Sequence, residues 1–248
     1  MVTGGAQGIG AAIAGKLARE GARVGFLDVD AERGARRAAE YRASGSSVLF
    51  IPADVTNEQD VAGAVAAIVS EFGGIDILVN NAGRNSYLEA TRATSAEWDE
   101  SMALNLKSAW LCAKHAIPAM LARGGGSIVN ISSLHARMTT AGMFPYAAAK
   151  AGLTGLTRSL ALDYGPAGIR VNAVLPGWTR TAAVEEWFRR QTNPEAAEAQ
   201  VVALQPLRRI ATTDEVANVV AFLASDEASA VTGAEFAVDC GLGARYAG

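Results

Sequence analysis

Three side chains between residues 133 and 150 have the types and spacing of a proton-transfer group. Ser133 precedes Tyr146 by thirteen residues, and Tyr146 precedes Lys150 by four. If Tyr146 begins a helix, the phenol and the ammonium share one face. A neighbouring cation favours phenolate, so we expect Lys150 to lower the pKa of Tyr146 from about 10 towards the range in which a general base works.

Ser133 follows the apolar run of residues 127–131, which predicts a strand that ends just before it. Its hydroxyl could therefore hold the same substrate oxygen that exchanges a proton with Tyr146. A tyrosine four residues before a lysine also occurs on many solvated helix faces, so the motif depends on support from the rest of the chain.

A glycine-rich run at residues 3–10 has the composition of a phosphate-binding loop. Glycine stands at positions 4, 8 and 10, and a helical pattern follows at residues 11–18. Such a loop needs a tight turn, a backbone that can approach a pyrophosphate closely, and the free N–H groups of a helix start. Glycines also mark ordinary turns, and the run alone leaves both interpretations open.

An acidic residue ends the second predicted strand. Residues 22–28 form this strand pattern and finish at Asp28, about twenty residues after the glycine run. In dinucleotide-binding folds a carboxylate at this place binds the ribose hydroxyls of NAD. It would repel the additional phosphate of NADP. We therefore expect NAD as the cofactor, while the nearby Arg33, Arg36 and Arg37 keep NADP open.

In their order along the chain, these motifs resemble those of the short-chain dehydrogenase/reductase family, over essentially the whole length. Each motif is ordinary by itself, whereas the ordered set is highly specific. The matching pieces are residues 3–10, Asp54 with Val55, residues 80–83, Asn105, Ser133, Tyr146 with Lys150, and Pro176, Gly177 and Thr181.

The resemblance implies roles for these residues. Asn105, Ser133, Tyr146 and Lys150 would form a catalytic tetrad, with Asn105 kinking its helix around a water that links Lys150 to solvent. Asp54 would contact the adenine, and Thr181 would lie near the nicotinamide carboxamide. The implied cofactor-binding residues are Gly4, Gln7, Gly8, Ile9, Gly10, Asp28, Asp54, Val55, Asn81, Ala82, Gly83, Tyr146, Lys150, Pro176, Gly177 and Thr181.

Short β-branched runs alternate with longer helical ones. This alternation predicts an α/β fold in which a doubly wound, mostly parallel sheet carries helices on both faces, Rossmann-type as the resemblance implies. At 248 residues, half of them hydrophobic, we expect one domain spanning 1–248. The predicted further strands are 48–51, 75–79, 127–131 and 171–175, and the predicted helices are 58–72, 95–123, 146–164 and 213–224.

The candidate residues fall at the ends of predicted strands. Asp28, Asp54, Asn80, Ser133 and Pro176 all lie at or just after such ends. In open parallel sheets ligands bind beyond the carboxyl ends of the strands. The sequence therefore predicts that these residues meet in one crevice.

The least regular segment spans about 178–205. Its charge-rich middle contains Trp187 and Phe188, and we expect a helical lid over the substrate. A surface insertion is the alternative, although long segments of this kind are often functional.

Two features depart from the family pattern. Only Met1 and Val2 precede the glycine run, so the first strand is nearly absent, and we expect residues ahead of Met1 to be missing from the sequence. Cys240 stands where many relatives have glycine, a change that could alter subunit packing but touches no catalytic position.

Composition argues against several classes of partner. With a net charge of −3, the chain lacks the excess of basic residues that is typical of proteins that bind nucleic acid or an anionic membrane. The two cysteines, Cys112 and Cys240, have no metal-ligand spacing and do not indicate a disulfide framework. No apolar run reaches the length of about 18–20 residues needed to cross a bilayer. We expect a cytoplasmic protein without a bound metal.

The predicted activity is reversible hydride transfer between NAD(H) and a small-molecule secondary alcohol or carbonyl substrate, through the serine, tyrosine and lysine with asparagine. A sugar or polyol is the preferred substrate, because polar groups that line a pocket need polar partners. The candidate substrate-contacting residues are Arg84, His135, Phe144, Trp178 and Trp187, with Asn85 and Met143 beside them. Arg84 and His135 could instead cap nearby carbonyls or face a neighbouring subunit.

Two alternatives stay open. A 3-oxoacyl-[acyl-carrier-protein] reductase using NADPH would share the fold and the tetrad, but Gln7 and Asp28 argue against it. A non-catalytic dinucleotide-binding scaffold is the other, since a fold alone does not guarantee activity. We also expect a homotetramer, because Gly152 and Gly155 permit close packing of the helix that carries Tyr146, and relatives commonly form tetramers.

Overall fold

A computed structural model describes residues 1–245, which fold around one seven-stranded parallel sheet. The strand order is β3-β2-β1-β4-β5-β6-β9, so the chain winds outward from the centre in both directions. This confirms the predicted doubly wound α/β fold in a single domain. The strands are β1 Val2–Thr3, β2 Val24–Asp28, β3 Val48–Pro52, β4 Ile77–Asn80, β5 Gly126–Ile131, β6 Ile169–Pro176, β7 Thr179–Arg180, β8 Ala211–Thr212 and β9 Glu235–Val238.

Helices cover both faces of the sheet. One face is covered by α1 and α9, with Ile13 and Val220 fully buried between helices and sheet, and the other by α3, α5 and α6. Because both faces are covered, the central strands are mostly apolar, with a few buried polar side chains such as Asn80 and Asn130. The helices are α1 Gly8–Arg19, α2 Ala31–Ala43, α3 Glu58–Phe72, α4 Ser95–Met102, α5 Ser108–Ala122, α6 Tyr146–Tyr164, α7 Ala182–Arg189, α8 Pro194–Leu204 and α9 Thr213–Ala224.

The first strand is short, as expected, yet it is paired on both sides. Val2 lies opposite Phe26 of β2 and opposite Val79 of β4. The carbonyl of Met1 accepts a hydrogen bond of 2.8 Å from the N–H of Val79, and Gly5 N–H donates to Leu27 at 3.0 Å. These bonds fix the register of the glycine run against both neighbouring strands.

The predicted helix 95–123 is interrupted in the structure. Between α4 and α5 the chain forms a π-helical turn, Ala103–Lys107, with Asn105 at its centre. A π-turn inserts one residue into the helical repeat and is common at functional sites. The expectation that Asn105 distorts its helix is met by this turn.

The C-terminal third contains elements that the sequence pattern did not reveal. Strand β9 completes the sheet beside β6, with Phe236 opposite Val174. The lid segment contains two helices, α7 and α8, and its short strand β7 pairs with β8. Among residues 1–245, no helix is both long and apolar enough to span a membrane.

A buried chain of polar side chains joins the sheet to the helix that begins at Tyr146. Asn80 donates to Asn130 on the neighbouring strand at 2.8 Å, and Asn130 donates to the Thr157 hydroxyl of α6 at 2.9 Å. The Thr157 hydroxyl then donates to the Leu153 carbonyl at 2.8 Å. This chain fixes the position of α6 relative to the ends of β4 and β5.

We expect Asn130→Ala to lower the free energy of unfolding by about 2 kcal/mol, because it leaves the buried amide of Asn80 without its main acceptor. The measurement is the urea midpoint. The matched control Asn218→Ala, on the exposed face of α9, should change stability by less than about 0.5 kcal/mol. Equal midpoints for the two variants would contradict a structural role for the chain.

Candidate active site

The glycine run forms a tight loop that leads directly into α1. Gly4 and Gly8 have φ angles of 65° and 55°, in the region that favours glycine. A Cβ on Gly10 would lie 2.0 Å from the Gly4 carbonyl oxygen. The N-cap residue Gln7 makes no side-chain bond to the helix start, so the first N–H groups of α1 stay available to an anion.

Asn81 and Thr3 hold this loop against the end of β4. The Asn81 side-chain amide donates to the carbonyls of Thr3 at 2.9 Å and Gly4 at 3.2 Å. In return, the Thr3 hydroxyl accepts from the backbone N–H groups of Asn81 at 2.9 Å and Ala82 at 3.0 Å. The glycine loop and the turn at residues 81–83 therefore form one unit. Sequence reasoning noted Asn81 as a cofactor contact and missed this anchoring contact.

Asp28 ends β2 beside the glycine loop. Its Oδ2 accepts from the Ala6 N–H at 3.0 Å, and its Oδ1 accepts from the Asp30 N–H at 3.1 Å. These two bonds fix the carboxylate at the carboxyl edge of the sheet, where a ribose could reach it.

Asp54 and Val55 follow the end of β3. The Asp54 Oδ1 accepts from the Thr56 N–H at 2.8 Å and from the Thr56 hydroxyl at 2.7 Å, and the residue stays exposed. Val55 is buried in the core under α3. Next to the strand that carries Asp28, Asp54 thus presents a carboxylate to solvent and Val55 packs into the core.

The opposite wall of the crevice comes from the segment after β6. Gly177 passes so close to Asp239 that a Cβ would lie 2.8 Å from the Asp239 Cβ. Thr181 caps α7 by accepting from the Val184 N–H at 3.3 Å. The Thr181 methyl group lies 3.7 Å from the Cβ position of Gly8. Pro176, at the end of β6, and half-buried Ile9 of the loop complete the two sides.

These observations fit a dinucleotide. The tight glycine loop with an uncapped helix start suits a pyrophosphate, and a fixed carboxylate at the next strand end suits a ribose. Within residues 1–245, no three side chains of His, Cys, Asp or Glu are grouped closely enough to hold a metal ion.

Ser133, Tyr146 and Lys150 meet at the end of β5. Tyr146 is the first residue of α6 and is 8% exposed, whereas Lys150 is 3% exposed. The Lys150 Nζ donates to the Ile131 carbonyl at 2.9 Å and lies 5.6 Å from the centre of the Tyr146 ring. Ser133 is buried, and its Oγ accepts from the His135 N–H at 3.2 Å.

The expected lowering of the Tyr146 pKa is wrong for the protein without ligands. Burial raises the pKa of Tyr146 to about 12, a shift opposed by a hydrogen bond with Ser133 and reinforced by the charge of Tyr87. Burial also lowers the pKa of Lys150 from 10.5 to about 8. Desolvation disfavours the charged form of each group, and here it outweighs the attraction between phenolate and ammonium that sequence spacing suggested.

Asn105 lies near Lys150, on the other side of Gly83. Its side-chain amide donates to the Ser101 carbonyl at 3.1 Å, and its Oδ1 accepts from the Arg84 N–H at 3.0 Å. A Cβ on Gly83 would lie 2.8 Å from this Oδ1 and 3.3 Å from the Lys150 Nζ. Gly83 therefore leaves the gap in which Asn105 and Lys150 approach each other.

The five candidate substrate residues divide into two groups. His135 lies beside Tyr146, with ring centres 5.9 Å apart, and its Nδ1 is 2.9 Å from the Thr139 hydroxyl. Burial lowers the pKa of His135, which favours the neutral ring. The Phe144 carbonyl accepts from the Leu88 N–H at 3.1 Å, which joins the segment before Tyr146 to the loop after β4.

The other three have partners elsewhere in the protein. The exposed side chain of Arg84 forms an ion pair with Glu100 on α4. Trp178 lies 5.0 Å from Trp187 and 5.9 Å from Phe188 between ring centres. These lid aromatics cover one another, so the large side chains of the lid have partners without a substrate.

Tyr87 is a candidate that sequence reasoning missed. It lies on the loop after β4, is 63% exposed, and its hydroxyl accepts from the Asn85 amide at 2.9 Å. Its charge contributes to the raised pKa of Tyr146. No motif marks Tyr87; its only signal is its position four residues after Gly83.

Comparison with known proteins agrees with this geometry. Residues 4–243 match a family model described as enoyl-(acyl carrier protein) reductase. The chain belongs to the short-chain dehydrogenase/reductase family. It is an oxidoreductase of the kind that acts on CH–OH groups with a nicotinamide dinucleotide.

Relatives in this family have different substrates in their names. D-xylose 1-dehydrogenase of Caulobacter vibrioides is 39% identical over 97% of this chain and 94% of its own. Cis-4-hydroxycyclohexanecarboxylate dehydrogenase of Sinomonas cyclohexanicum is 43% identical, with the same coverage of both chains. The ligand-free structure of Thermoplasma acidophilum aldohexose dehydrogenase superposes with a TM-score of 0.90, at 36% identity over 99% of this chain and 93% of that one.

Replacement of the buried lysine should stabilise the protein. The fall in the pKa of Lys150 from 10.5 to about 8 corresponds to a cost of about 3 kcal/mol at pH 7. Lys150→Met removes this cost and leaves the Ile131 carbonyl unpaired, which costs about 1 kcal/mol. We expect the free energy of unfolding to rise by about 2 kcal/mol at pH 7.

The stability difference between Lys150→Met and wild type should depend on pH. Between pH 8 and 10.5 the unfolded chain binds the Lys150 proton and the folded protein does not, so this lysine makes wild-type stability rise with pH. The advantage of Lys150→Met should therefore shrink over that window in urea unfolding. The matched control Lys107→Met, at an exposed position, should change stability at pH 7 by less than about 0.5 kcal/mol. A Lys150→Met protein less stable than wild type at pH 7 would contradict the burial cost.

Proposed function

We propose that this protein catalyses reversible oxidation of a secondary alcohol, namely a hydroxyl of a sugar or polyol, with NAD⁺ as the hydride acceptor. The observation that supports this best is the meeting of Ser133, Tyr146 and Lys150 at the same sheet edge as the glycine loop and Asp28. A proton acceptor and a dinucleotide cradle side by side are what hydride transfer from an alcohol requires.

In the proposed mechanism the protein handles the proton. In its phenolate form Tyr146 accepts the hydroxyl proton of the substrate, and Ser133 donates a hydrogen bond to the same oxygen. With a pKa of about 8, Lys150 carries its charge at neutral pH. Its Nζ lies 5.6 Å from the centre of the Tyr146 ring, and this positive charge stabilises the phenolate. The dinucleotide, when bound, supplies the hydride acceptor. Asn105 holds the turn beside Lys150. The proton leaves to solvent by way of Lys150.

The cofactor preference is proposed from Asp28. Both of its oxygens are held by backbone N–H groups, so the carboxylate cannot easily turn away from a ligand. A fixed negative charge favours the hydroxyls of NAD over the phosphate of NADP. The cofactor contacts proposed from the family resemblance include Asp54, Val55, Pro176, Gly177 and Thr181.

The substrate class is proposed from the polar groups near Tyr146 together with the relatives. His135, Asn85 and Tyr87 offer hydrogen-bonding groups around the mouth of the site. Two similar proteins carry the names of enzymes acting on D-xylose and on aldohexoses. We further propose that residues 178–205 act as a lid, because Thr181 at the start of α7 touches the glycine loop. The cytoplasmic location stays a prediction from the sequence.

The test is the initial rate of NAD⁺ and NADP⁺ reduction on aldoses, polyols, hydroxy acids and simple secondary alcohols. Turnover should be highest with NAD⁺ and an aldose or polyol. Tyr146→Phe should lower the rate at least about 100-fold, because it removes the proton acceptor. The control Tyr164→Phe makes the same change at the other end of α6 and should retain the wild-type rate.

Three results would overturn parts of this proposal. A Tyr146→Phe protein with near-normal turnover would reject the assigned base. Silence on every sugar, with NADPH consumed on 3-oxoacyl thioesters, would favour the acyl reductase alternative. Saturable cofactor binding with no turnover on any alcohol or ketone would favour the non-catalytic scaffold.

A homotetramer is proposed from the outer faces of α5 and α6. Trp110 and Leu121 of α5 are each 43% exposed and Leu162 of α6 is 79% exposed, which leaves apolar side chains for a partner subunit to cover. Gly155 has open space around it, whereas Gly152 packs against Leu106 of its own chain. Light scattering should give four times the chain mass, and a monomer at all concentrations would reject self-association.

A further inference from the structure

The chain at the carboxyl end of β5 holds Lys150 at two points. The carbonyl of Ile131, the last residue of the strand, accepts a hydrogen bond of 2.9 Å from the Lys150 Nζ. The next residue, Ser132, donates from its hydroxyl to the backbone carbonyl of Lys150 at 2.9 Å. Two consecutive residues therefore fix both ends of the same lysine, its ammonium and its backbone.

Ser132 is itself held firmly by the sheet. It is 3% exposed, and its backbone N–H lies 3.1 Å from the Asn130 carbonyl and 2.8 Å from the Val174 carbonyl of β6. A serine hydroxyl has one proton to donate. Because Ser132 donates this proton to the Lys150 carbonyl, it has none left for a substrate, in contrast to the neighbouring Ser133.

The bond from Ser132 is additional to the hydrogen bonds of a regular helix. Lys150 lies within α6, where a carbonyl ordinarily accepts from the N–H four residues later. A carbonyl oxygen has two lone pairs, and Ser132 binds the second one. This bond anchors the second turn of α6 to the sheet. Tyr146 lies one turn earlier on the same face of the helix, so the anchor acts on the frame that carries both side chains.

We infer that Ser132 is a positioning residue for proton transfer, because its bond to the Lys150 backbone sets the distance between the ammonium and the Tyr146 phenol. This inference rests on the proposed function, in which Lys150 stabilises the Tyr146 phenolate. The Lys150 Nζ lies 5.6 Å from the centre of the Tyr146 ring. Attraction between charges at this range weakens when water enters between them, and loss of the Ser132 bond frees the second turn of α6 to move and admit water.

Ser127 provides a matched control on the same strand. It lies near the opposite end of β5, is 2% exposed, and donates from its hydroxyl to the Leu223 carbonyl of α9 at 2.9 Å. Ser127→Ala therefore removes the same kind of buried bond between strand and helix, at the end of the strand away from Lys150. Both Ser127→Ala and Ser132→Ala should melt below wild type, and only Ser132→Ala should change the site.

The first measurement is an NMR titration of the Lys150 side chain in the protein without ligands, with Lys150→Met used to assign its signal. Burial lowers the pKa of Lys150 to about 8 in wild type. Ser132→Ala should raise this pKa by at least about half a pH unit towards 10.5, because the released ammonium regains hydration. Ser132→Cys keeps the shape of the side chain but donates only weakly, and it should raise the pKa as well. Ser127→Ala should leave it unchanged.

The second measurement is the pH profile of kcat with NAD⁺ and the aldose or polyol that wild type oxidises fastest. The limb that rises with pH reports the base in the enzyme–substrate complex. A weaker attraction from Lys150 raises the pKa of this base, so Ser132→Ala should move the limb upward by about half to one pH unit. Its kcat on the acid side should then fall about three- to tenfold. The other titratable groups that act on Tyr146, His135 and Tyr87, are the same in all the variants.

Failure of this inference can be told apart from failure of the proposed function. If folded Ser132→Ala matches wild type in both the Lys150 titration and the kcat profile, the inference is wrong and the proposed function stands. Equal changes in Ser132→Ala and Ser127→Ala would also reject it, because they would indicate a general loosening of the sheet. If wild type oxidises no alcohol, the proposed function fails, and the Lys150 titration alone decides whether Ser132 positions the lysine.

Discussion

The buried ammonium of Lys150 is the constraint on which the rest of the site depends. A cation in the interior is costly unless hydrogen bonds hold it, and the Ile131 carbonyl at the end of β5 accepts one from its Nζ. That bond requires α6 to start close to the sheet edge, which the Asn80–Asn130–Thr157 chain enforces. The π-turn around Asn105 and the absent side chain of Gly83 then leave room beside the ammonium.

This arrangement sets stability against function. Burial shifts the pKa of Tyr146 up to about 12 and that of Lys150 down to about 8, so both groups oppose charging in the protein without ligands. Each shift reflects the hydration that the charged form loses when the group is buried. Tyr146 nevertheless needs the positive charge of Lys150 to become phenolate. A protein selected for stability alone would have an apolar residue at position 150. The fold tolerates the cost of burying Tyr146 and Lys150 because the surrounding sheet is well paired.

Much of the fold followed from the sequence, and the exceptions have physical causes. Helices α3 and α9 were predicted to the residue, because Asn57 and Thr212 cap their first turns. Strand β9 is only four residues long and was missed. A distortion at Asn105 was expected only through the family resemblance, and the π-turn itself was missed because the apolar pattern of residues 95–123 was interpreted as one helix. The predicted direction of the Tyr146 pKa shift was wrong, because sequence spacing indicates which charges are near but not how much hydration the group loses on burial.

Substrate choice lies in the parts of the chain that sequence patterns describe least. The sheet edge with Asp28, Ser133 and Tyr146 is built from regular elements, whereas Tyr87, His135 and Phe144 lie on loops joined by one backbone bond from Leu88 to Phe144. Relatives near 40% identity carry the names of a xylose and a cyclohexanecarboxylate dehydrogenase, so this framework hosts chemically different alcohols. Because function resides in sites rather than in folds, we expect the loops after β4 and β5, rather than the sheet, to determine which alcohol fits.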